Sequence, residues 1–323
     1  MKKTDAPNVN ASQPPSLTRP ALSGKTLVVL AGPTASGKTA LGIWLARQFQ
    51  TEILSADSRQ CYKQLNIGVA RPSPEELAAV PHHFIASHDI QENLNAGWYE
   101  SYGLRELDQL FKKHSVVLVV GGTGLYIKAL TEGMDIMPSI PPELREAVTL
   151  AYHTSGLSWL QGAVQKEDPL FWQSAEQMNP QRLMRALEFI RATGESIMTY
   201  RKQQKQPRDF QVISIALDLP REVLYERIND RVDIMIKEGL EKEVQHLYPM
   251  RHLNALQTVG YKEWYPYFEG ACTLDQVREK IQQNTRHYAK RQVTWFKKQQ
   301  DFLWFSPADK EKILNCIQSR IKH

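Results

Sequence analysis

The sequence predicts an α/β protein, a phosphate-loop NTPase-like parallel sheet core with an inserted all-helical domain. Three observations carry this. A continuous apolar run, Thr26–Ala31, feeds directly into the glycine-bounded turn Gly32-Pro33-Thr34-Ala35-Ser36-Gly37-Lys38-Thr39. Short apolar runs then alternate with helical stretches, the pattern of strands buried on both faces of a parallel sheet. Strand character stops near Met137 and returns only at Val212–Leu217, after a stretch that reads as helix throughout.

The elements follow in order. Residues 1–24 are polar, carry four prolines and are expected to form a disordered tail. Thr26–Ala31 is the first strand, and a helix runs from about Lys38 to Gln48. Glu52–Ser55 is a second short strand, ending at Ala56-Asp57, and a segment rich in Pro and His follows from Pro72 to His88. A helix around Ala96–Lys112 leads to the strand Ser115–Val120, closed by Gly121-Gly122-Thr123-Gly124, with another helix from near Leu125. Pro138, Pro141 and Pro142 mark a boundary, and residues 143–200 read as helices. The clearest is Pro180–Thr193: Asn179 suits the N-cap, Pro180 the first helical position and Gly194 the C-terminal stop. From Arg221 the chain reads as mostly helical. The expected organisation is therefore a tail at 1–24, a core from 25–137 and 210–323 with C-terminal helices, and a helical insertion at 138–209.

Composition excludes several classes. Of 323 residues, 42% are hydrophobic and 23% charged, as in water-exposed globular proteins. The longest aliphatic runs, such as Val116–Val120, are far short of the ~20 residues a membrane helix needs. Lys2 and Lys3 precede no apolar segment, so no secretory signal is expected. Cys61, Cys272 and Cys316 are too few and too scattered for a disulfide framework or a structural zinc, and fit a reducing cytoplasm. The net charge of +5 is modest but uneven. Arg278–Lys298 carries seven basic residues against one acidic residue, Glu279. Such a stripe points to a polyanionic partner or, equally, to a solvated helix face.

The turn at 32–39 matches G-x4-G-K-[ST]. Its glycines let successive backbone N–H groups converge on one anion, Lys38 adds a point charge, and the Thr39 hydroxyl is a Mg²⁺ ligand type. The following helix aims its positive end at the same place. The strand Val116–Val120 ends in Gly-Gly-Thr, without the acidic residue that usually helps hold Mg²⁺ in motor-type ATPases. That leaves group transfer from a small phosphorylated donor. Asp57, at the carboxyl end of the second strand, can accept a proton from a nucleophile or can be a turn residue. Arg59, Gln60 and Tyr62 beside it can hydrogen-bond and stack against a base. Arg227 and Arg231 share a helix face, able either to reach a leaving phosphate or to pair with Glu226 and Asp230.

Taken together, GPTASGKT (32–39), ADSRQCYKQLNIG (56–68), VVGGTGLYIKAL (119–130), NPQRLMRALE (179–188), LYERINDRVDIMIKEGLEKEV (224–244), LQTVGYKE (256–263) and AKRQVTWFKK (289–298) resemble the tRNA dimethylallyltransferases, also called tRNA isopentenyltransferases. The resemblance spans about residues 26 to 305. It implies transfer of a dimethylallyl group from dimethylallyl diphosphate to N6 of adenine 37 beside the tRNA anticodon, with Mg²⁺ and release of diphosphate. It implies that Gly32, Pro33, Thr34, Ala35, Ser36, Gly37, Lys38 and Thr39 hold the donor rather than ATP, that Thr39 is the nearest protein ligand to the metal, that Asp57 is the general base, and that Arg231 steadies the diphosphate. Thr123 would contact the target nucleotide. Contacts to the anticodon stem-loop would come from Asp57, Ser58, Arg59, Gln60, Arg145, Gln181, Arg182, Leu183, Met184, Arg185, Gly260, Tyr261, Lys262, Arg286, Lys290 and Arg291, within the blocks 257–262 and 285–292 at the C-terminal end. A cytoplasmic monomer without membrane contact completes the expectation. Val69 departs from the family's usual Thr, which removes a hydroxyl. Tyr288 and Trp295 offer stacking surfaces or core packing, and His82, His83 and His88 have no assigned role. Two other readings use the same residues: a small-molecule kinase or nucleotide phosphotransferase, and a non-catalytic RNA-binding adaptor with a nucleotide switch.

Overall fold

A computed structural model describes residues 24–174, 176–201 and 204–321. The tail expected at 1–24 lies outside these residues except for Gly24. Six strands, β1 (Thr26–Ala31), β2 (Ile53–Ser55), β3 (His82–His83), β4 (Val116–Gly121), β5 (Gln211–Leu217) and β6 (Phe302–Phe305), form one sheet in the order β3-β2-β4-β1-β5-β6. All pairings are parallel; Leu27 is in register with Val117 on one side and Val212 on the other.

Among the described residues, thirteen α-helices connect or flank the strands. They are α1 (Lys38–Phe49), α2 (Pro74–Ala79), α3 (Ala96–Leu110), α4 (Gly124–Glu132), α5 (Pro142–Glu167), α6 (Pro169–Ser174), α7 (Pro180–Thr193), α8 (Ile197–Tyr200), α9 (Arg221–Lys237), α10 (Leu240–Leu247), α11 (Tyr265–Phe268), α12 (Leu274–Lys297) and α13 (Lys310–Gln318).

Strand alternation splits the core in two. Leu27, Val29, Val117 and Val119 face a layer from α3, α4, α10 and α12. Val28, Leu30, Leu118, Ile213 and Ile215 face α1 and α13. A strand with side chains buried on both faces has no polar face to alternate with, which is why β1 reads as an unbroken apolar run. Each such Leu or Val contributes roughly 1.5–3 kcal/mol by leaving water.

The edge strands depart from the expected pattern. β3, within the Pro/His-rich segment, and β6, within the stretch expected to be helical, are both strands. Each is half-buried with one strand neighbour, so neither has the apolar signature of the centre.

Between β4 and β5 the helices α5–α8 share a separate core of Val148, Leu160, Val164, Phe171, Leu187 and Phe189. The Asn179 side chain accepts from the Arg182 N–H at the start of α7, and Gly194 ends that helix at φ 75°. Helix α5 is interrupted at Gly156, whose φ of 75° and ψ of −172° break the helical repeat. Buried Asp168 accepts from the Phe171 N–H at 2.9 Å and from the Ser196 hydroxyl at 3.0 Å, joining α6 to the start of α8.

Candidate active site

The carboxyl ends of β1, β2 and β4 open onto one cleft of about 850 Å³. The order places β4 between β1 and β2, the arrangement whose crevice receives ligands in open α/β sheets. The loop at 32–39 lies at its base. Gly37 (φ 86°) precedes α1 without any side-chain cap, and the first helical bond is Leu41 N–H to Gly37 O. The N–H groups of Lys38, Thr39 and Ala40 precede that bond and form the anion-binding end of the helix. Ala35 holds a left-handed φ of 62°, unusual for a residue with a side chain. Its methyl group packs against Leu224, Ile228 and Ala289, so α9 and α12 grip the tip of the loop. The Ser36 hydroxyl is buried with no hydrogen-bond partner among the described residues.

Lys38 donates to the loop's own Pro33 carbonyl at 2.6 Å. Burial lowers its pKa to about 8; nearby Asp57 opposes this and Arg231 adds to it. Arg231 reaches the same cleft from α9, and burial also lowers its pKa, with Glu76 opposing. It makes no ion pair or hydrogen bond among the described residues, and neither does Arg227. The alternative pairing with Glu226 or Asp230 is therefore not formed. Two cations thus face a space without a paired anion, as an anionic ligand requires.

Asp57 combines both readings of its position in different atoms. Oδ1 accepts from the N–H of Arg59 at 2.9 Å and of Gln60 at 3.2 Å, an Asx-type turn. Oδ2 has no hydrogen-bond partner among the described residues, and Asp57 lines the cleft. The Thr123 hydroxyl lies alongside, accepting from the Ser58 N–H at 3.0 Å. Tyr288 of α12 lines the same cleft, and burial pushes its phenol up to about 12.

Several expected contacts are corrected. Leu183 and Met184 are buried in the core of the helical unit and present no surface to a nucleic acid. They fall on the inner side of α7, while Gln181 and Arg182 are exposed and Arg185 is half-buried. Tyr261 is fully buried and donates to Glu243 at 2.6 Å, so it is a packing residue, flanked by buried Gly260 and exposed Lys262. Tyr62 is likewise buried, its hydroxyl on the Glu92 carbonyl, and cannot stack on a base. Gln60 directs its NH₂ group to the carbonyls of Val69 and Ala70.

On α12, Lys290 and Arg291 are exposed, but Arg286 turns inward to the Asn229 side chain at 2.7 Å. Arg145 lies 3.5 Å from buried Glu188, whose pKa burial raises. Trp295 packs where a Cβ on Gly124 would otherwise stand, which makes it a structural aromatic. His83, the last residue of β3, pairs with Glu52 just before β2 at 2.7 Å and has no place in the cleft.

Two roles escaped the sequence reading, Gln292 having been expected only within the tRNA-contacting block 285–292. Glu243 on α10 accepts from the N–H groups of Ile67 (2.8 Å) and Gly68 (3.1 Å), anchoring the loop that carries Val69 into the cleft. Gln292 on α12 is buried beneath the phosphate loop and bonds to it directly. Neither role is visible from local spacing, since the loops they hold lie 170 residues or more away.

Fold and site together define a phosphate-loop α/β protein of the group-transfer type: an uncapped anion cradle, two unpaired cations and a carboxylate across one cleft. Residues 60–299 match the family model of the IPP transferases. The tRNA dimethylallyltransferase of Christiangramia forsetii is 46% identical over 91% of this chain and 98% of its own length. The tRNA dimethylallyltransferase 1 of Bacteroides fragilis is 42% identical over 93% and 100%. Among solved structures, the full-length tRNA isopentenylpyrophosphate transferase of Bacillus halodurans aligns with TM-score 0.69 and 32% identity over 92% of this chain and 97% of that one. A eukaryotic dimethylallyltransferase acting on tRNA aligns with TM-score 0.72 and 25% identity, over 92% and 77%. The chain belongs to the tRNA dimethylallyltransferase (IPP transferase) family. It is thus an enzyme of a tRNA-modifying transferase family, and the kinase reading gains no support. No described helix is long and apolar enough to cross a membrane.

Proposed function

We propose that this enzyme transfers a dimethylallyl group from dimethylallyl diphosphate to N6 of adenine 37 in tRNA. The observation that carries the proposal is the free Oδ2 of Asp57, in one cleft with Lys38 and the unpaired Arg231. The N6 lone pair is delocalised into the purine, so the amine needs orientation and a proton acceptor. In the proposed step N6 attacks C1 of the prenyl group, the C1–O bond breaks, and diphosphate departs with the bonding electrons. The N6 proton passes to Asp57 Oδ2. Lys38, Arg231 and the N–H groups at the start of α1 neutralise the charge that grows on the leaving diphosphate. Ile67, Val69, Ile228, Val232 and Met235 line the same cleft and give it an apolar wall suited to five carbons. Val69 leaves that wall without a hydroxyl.

The donor set for a cation is sparse. Among the described residues no cluster of three His, Cys, Asp or Glu side chains is placed to hold a metal. That fits Mg²⁺, which keeps several waters and binds chiefly through substrate phosphates, with Thr39 as its protein ligand. When bound, it would supply further neutralisation of the leaving group.

The target base must leave the anticodon-loop stack, at a cost of a few kcal/mol. Exposed Lys290, Arg291, Arg182 and Gln181, with half-exposed Arg145, offer backbone contacts that offset this. The proposal includes a cytoplasmic monomer, consistent with three free cysteines. The test is incubation with unmodified tRNA, Mg²⁺ and dimethylallyl diphosphate, followed by mass analysis of the nucleosides. A prenylated adenosine supports the proposal. Unaltered tRNA, with ATP consumed on a small metabolite instead, overturns it.

A further inference from the structure

We propose that Gln292 is a positioning residue that holds the phosphate loop and the Gly-Gly-Thr turn in register, fixing the separation between the two ends of the site. The inference rests on the reading above, in which the first binds the diphosphate and the second meets the nucleotide.

Gln292 sits on α12 with its side chain buried. Its Oε1 accepts from the Thr34 N–H at 2.9 Å, and its Nε2 donates to the Gly122 carbonyl at 2.9 Å. One amide therefore spans the loop after β1 and the turn after β4, and the Thr34 N–H it holds is withheld from any anion in the cradle. Gly122 is shaped for it: a Cβ there would overlap Nε2. The turn continues into Thr123, whose hydroxyl meets Ser58, and Tyr288, which lines the cleft, lies one helical turn before Gln292. Ile281, Thr285, Tyr288 and Gln292 form one stripe of α12 lining the cleft, while Lys290 and Arg291 are exposed. Ala289 adds a second grip, against Ala35 at the loop tip. The helix that offers charge to a polynucleotide is thus keyed by one side chain to both halves of the reaction centre.

Gln292→Met keeps the volume and removes both hydrogen bonds. Inorganic pyrophosphate serves as the binding probe for the loop. The variant should bind pyrophosphate about tenfold more weakly, because a loosened loop must be ordered on binding. Its kcat should fall by at least about tenfold, because the ends of the site no longer hold a fixed distance, while tRNA affinity stays within about twofold. Gly122→Ala should reproduce this by displacing Gln292, and the double variant should be little worse than either alone. The inference is overturned if Gln292→Met keeps wild-type pyrophosphate affinity and kcat. It is also overturned if tRNA affinity and thermal midpoint fall together with activity, which marks a general structural support, or if the effects of the two substitutions multiply. Prenyl transfer by the wild-type enzyme is the control: its failure sinks the assigned reaction and not the bridge.

Discussion

The Tyr261 hydroxyl donates to the Glu243 carboxylate at 2.6 Å, and the same carboxylate collects the N–H groups of Ile67 and Gly68. The carboxylate takes the place of an anion in a small backbone nest and so fastens the loop 66–71 to α10. Burial, with Glu243 beside it, raises the Tyr261 pKa well above its ordinary value, so the phenol stays protonated as a donor. The Tyr261 ring lies against Gly68, where a Cβ would come within 2.6 Å. Across the same loop Arg71 donates to the carbonyls of Tyr62, Lys63 and Leu65.

Glu243→Ala should therefore be costly without touching the cleft. Loss of a carboxylate that satisfies several partly buried donors costs about 1–3 kcal/mol. Thermal denaturation should show a lower midpoint. Donor KM should rise as well, since Val69 and Ala70 line the cleft from this loop. An unchanged midpoint would show that the nest finds other partners.

Asp57 calls for a substitution that respects its turn. Asp57→Asn keeps an oxygen for the N–H groups of Arg59 and Gln60, whereas Asp57→Ala also dismantles the turn. With the turn intact, the asparagine variant should bind tRNA as the wild type does. Its transfer rate should fall by roughly 10²–10⁴, the range for a removed general base. Single-turnover assays with filter binding separate the two effects. Near-wild-type turnover would exclude Asp57 as the proton acceptor.

How much of this was legible in the sequence depends on how local each feature is. The phosphate loop and β1 were read directly, because one motif and one apolar run contain all the information. The caps of α7 were equally clear, since Asn179, Pro180 and Gly194 act within one turn of the helix ends. β6 was missed because its side chains are half-buried at a sheet edge and its pairing with β5 is long-range. Leu183 and Met184 share a block with exposed residues that resembles a nucleic-acid contact as a whole, and Tyr261 shares another. A helix turns about 100° per residue, so adjacent positions in a block need not share a face. Leu183, Leu187 and Ile190 recur at helical spacing, and that apolar stripe is the better guide to burial. The roles of Gln292, expected only within the tRNA-contacting block 285–292, and of Glu243 carry no local signal, because they are defined by loops far away in the chain.

Lys38 makes donor binding pH-dependent. Its pKa, lowered to about 8 mainly by burial, means that the empty site holds a charged ammonium below that pH and a neutral amine above it. A diphosphate favours the charged form, so binding draws a proton back onto Lys38 as pH rises through 8. Affinity for pyrophosphate should consequently fall between about pH 8 and the higher pKa of the complex. Titration calorimetry in buffers of different ionisation enthalpy should detect proton uptake on that limb. Lys38→Arg stays charged throughout and should abolish the uptake while retaining measurable binding. A wild-type affinity flat from pH 7 to 10 would mean that Lys38 does not meet the anion.

Glu52 places an acid-sensitive contact at the other end of the sheet. Burial pushes its carboxyl up, but hydrogen bonds from His83 (2.7 Å) and His114 (3.2 Å) more than offset this, with Lys113 helping at 3.9 Å. The net pKa lies below the ordinary 4.5. Glu106 faces the other ring nitrogen of His83 at 3.3 Å, so the cluster links β2, β3, α3 and the turn before β4. A depressed carboxylate stabilises the fold above its unfolded pKa, and that contribution is lost as pH falls through the folded value. Glu52→Gln should lower the thermal midpoint near pH 7 by roughly 2–4 °C for each kcal/mol lost. The gap between variant and wild type should close as pH drops below about 4.5, because the wild-type carboxyl is then protonated too. A gap that persists unchanged to acid pH would assign the effect to packing, since only the ionised carboxylate distinguishes the two chains in this window.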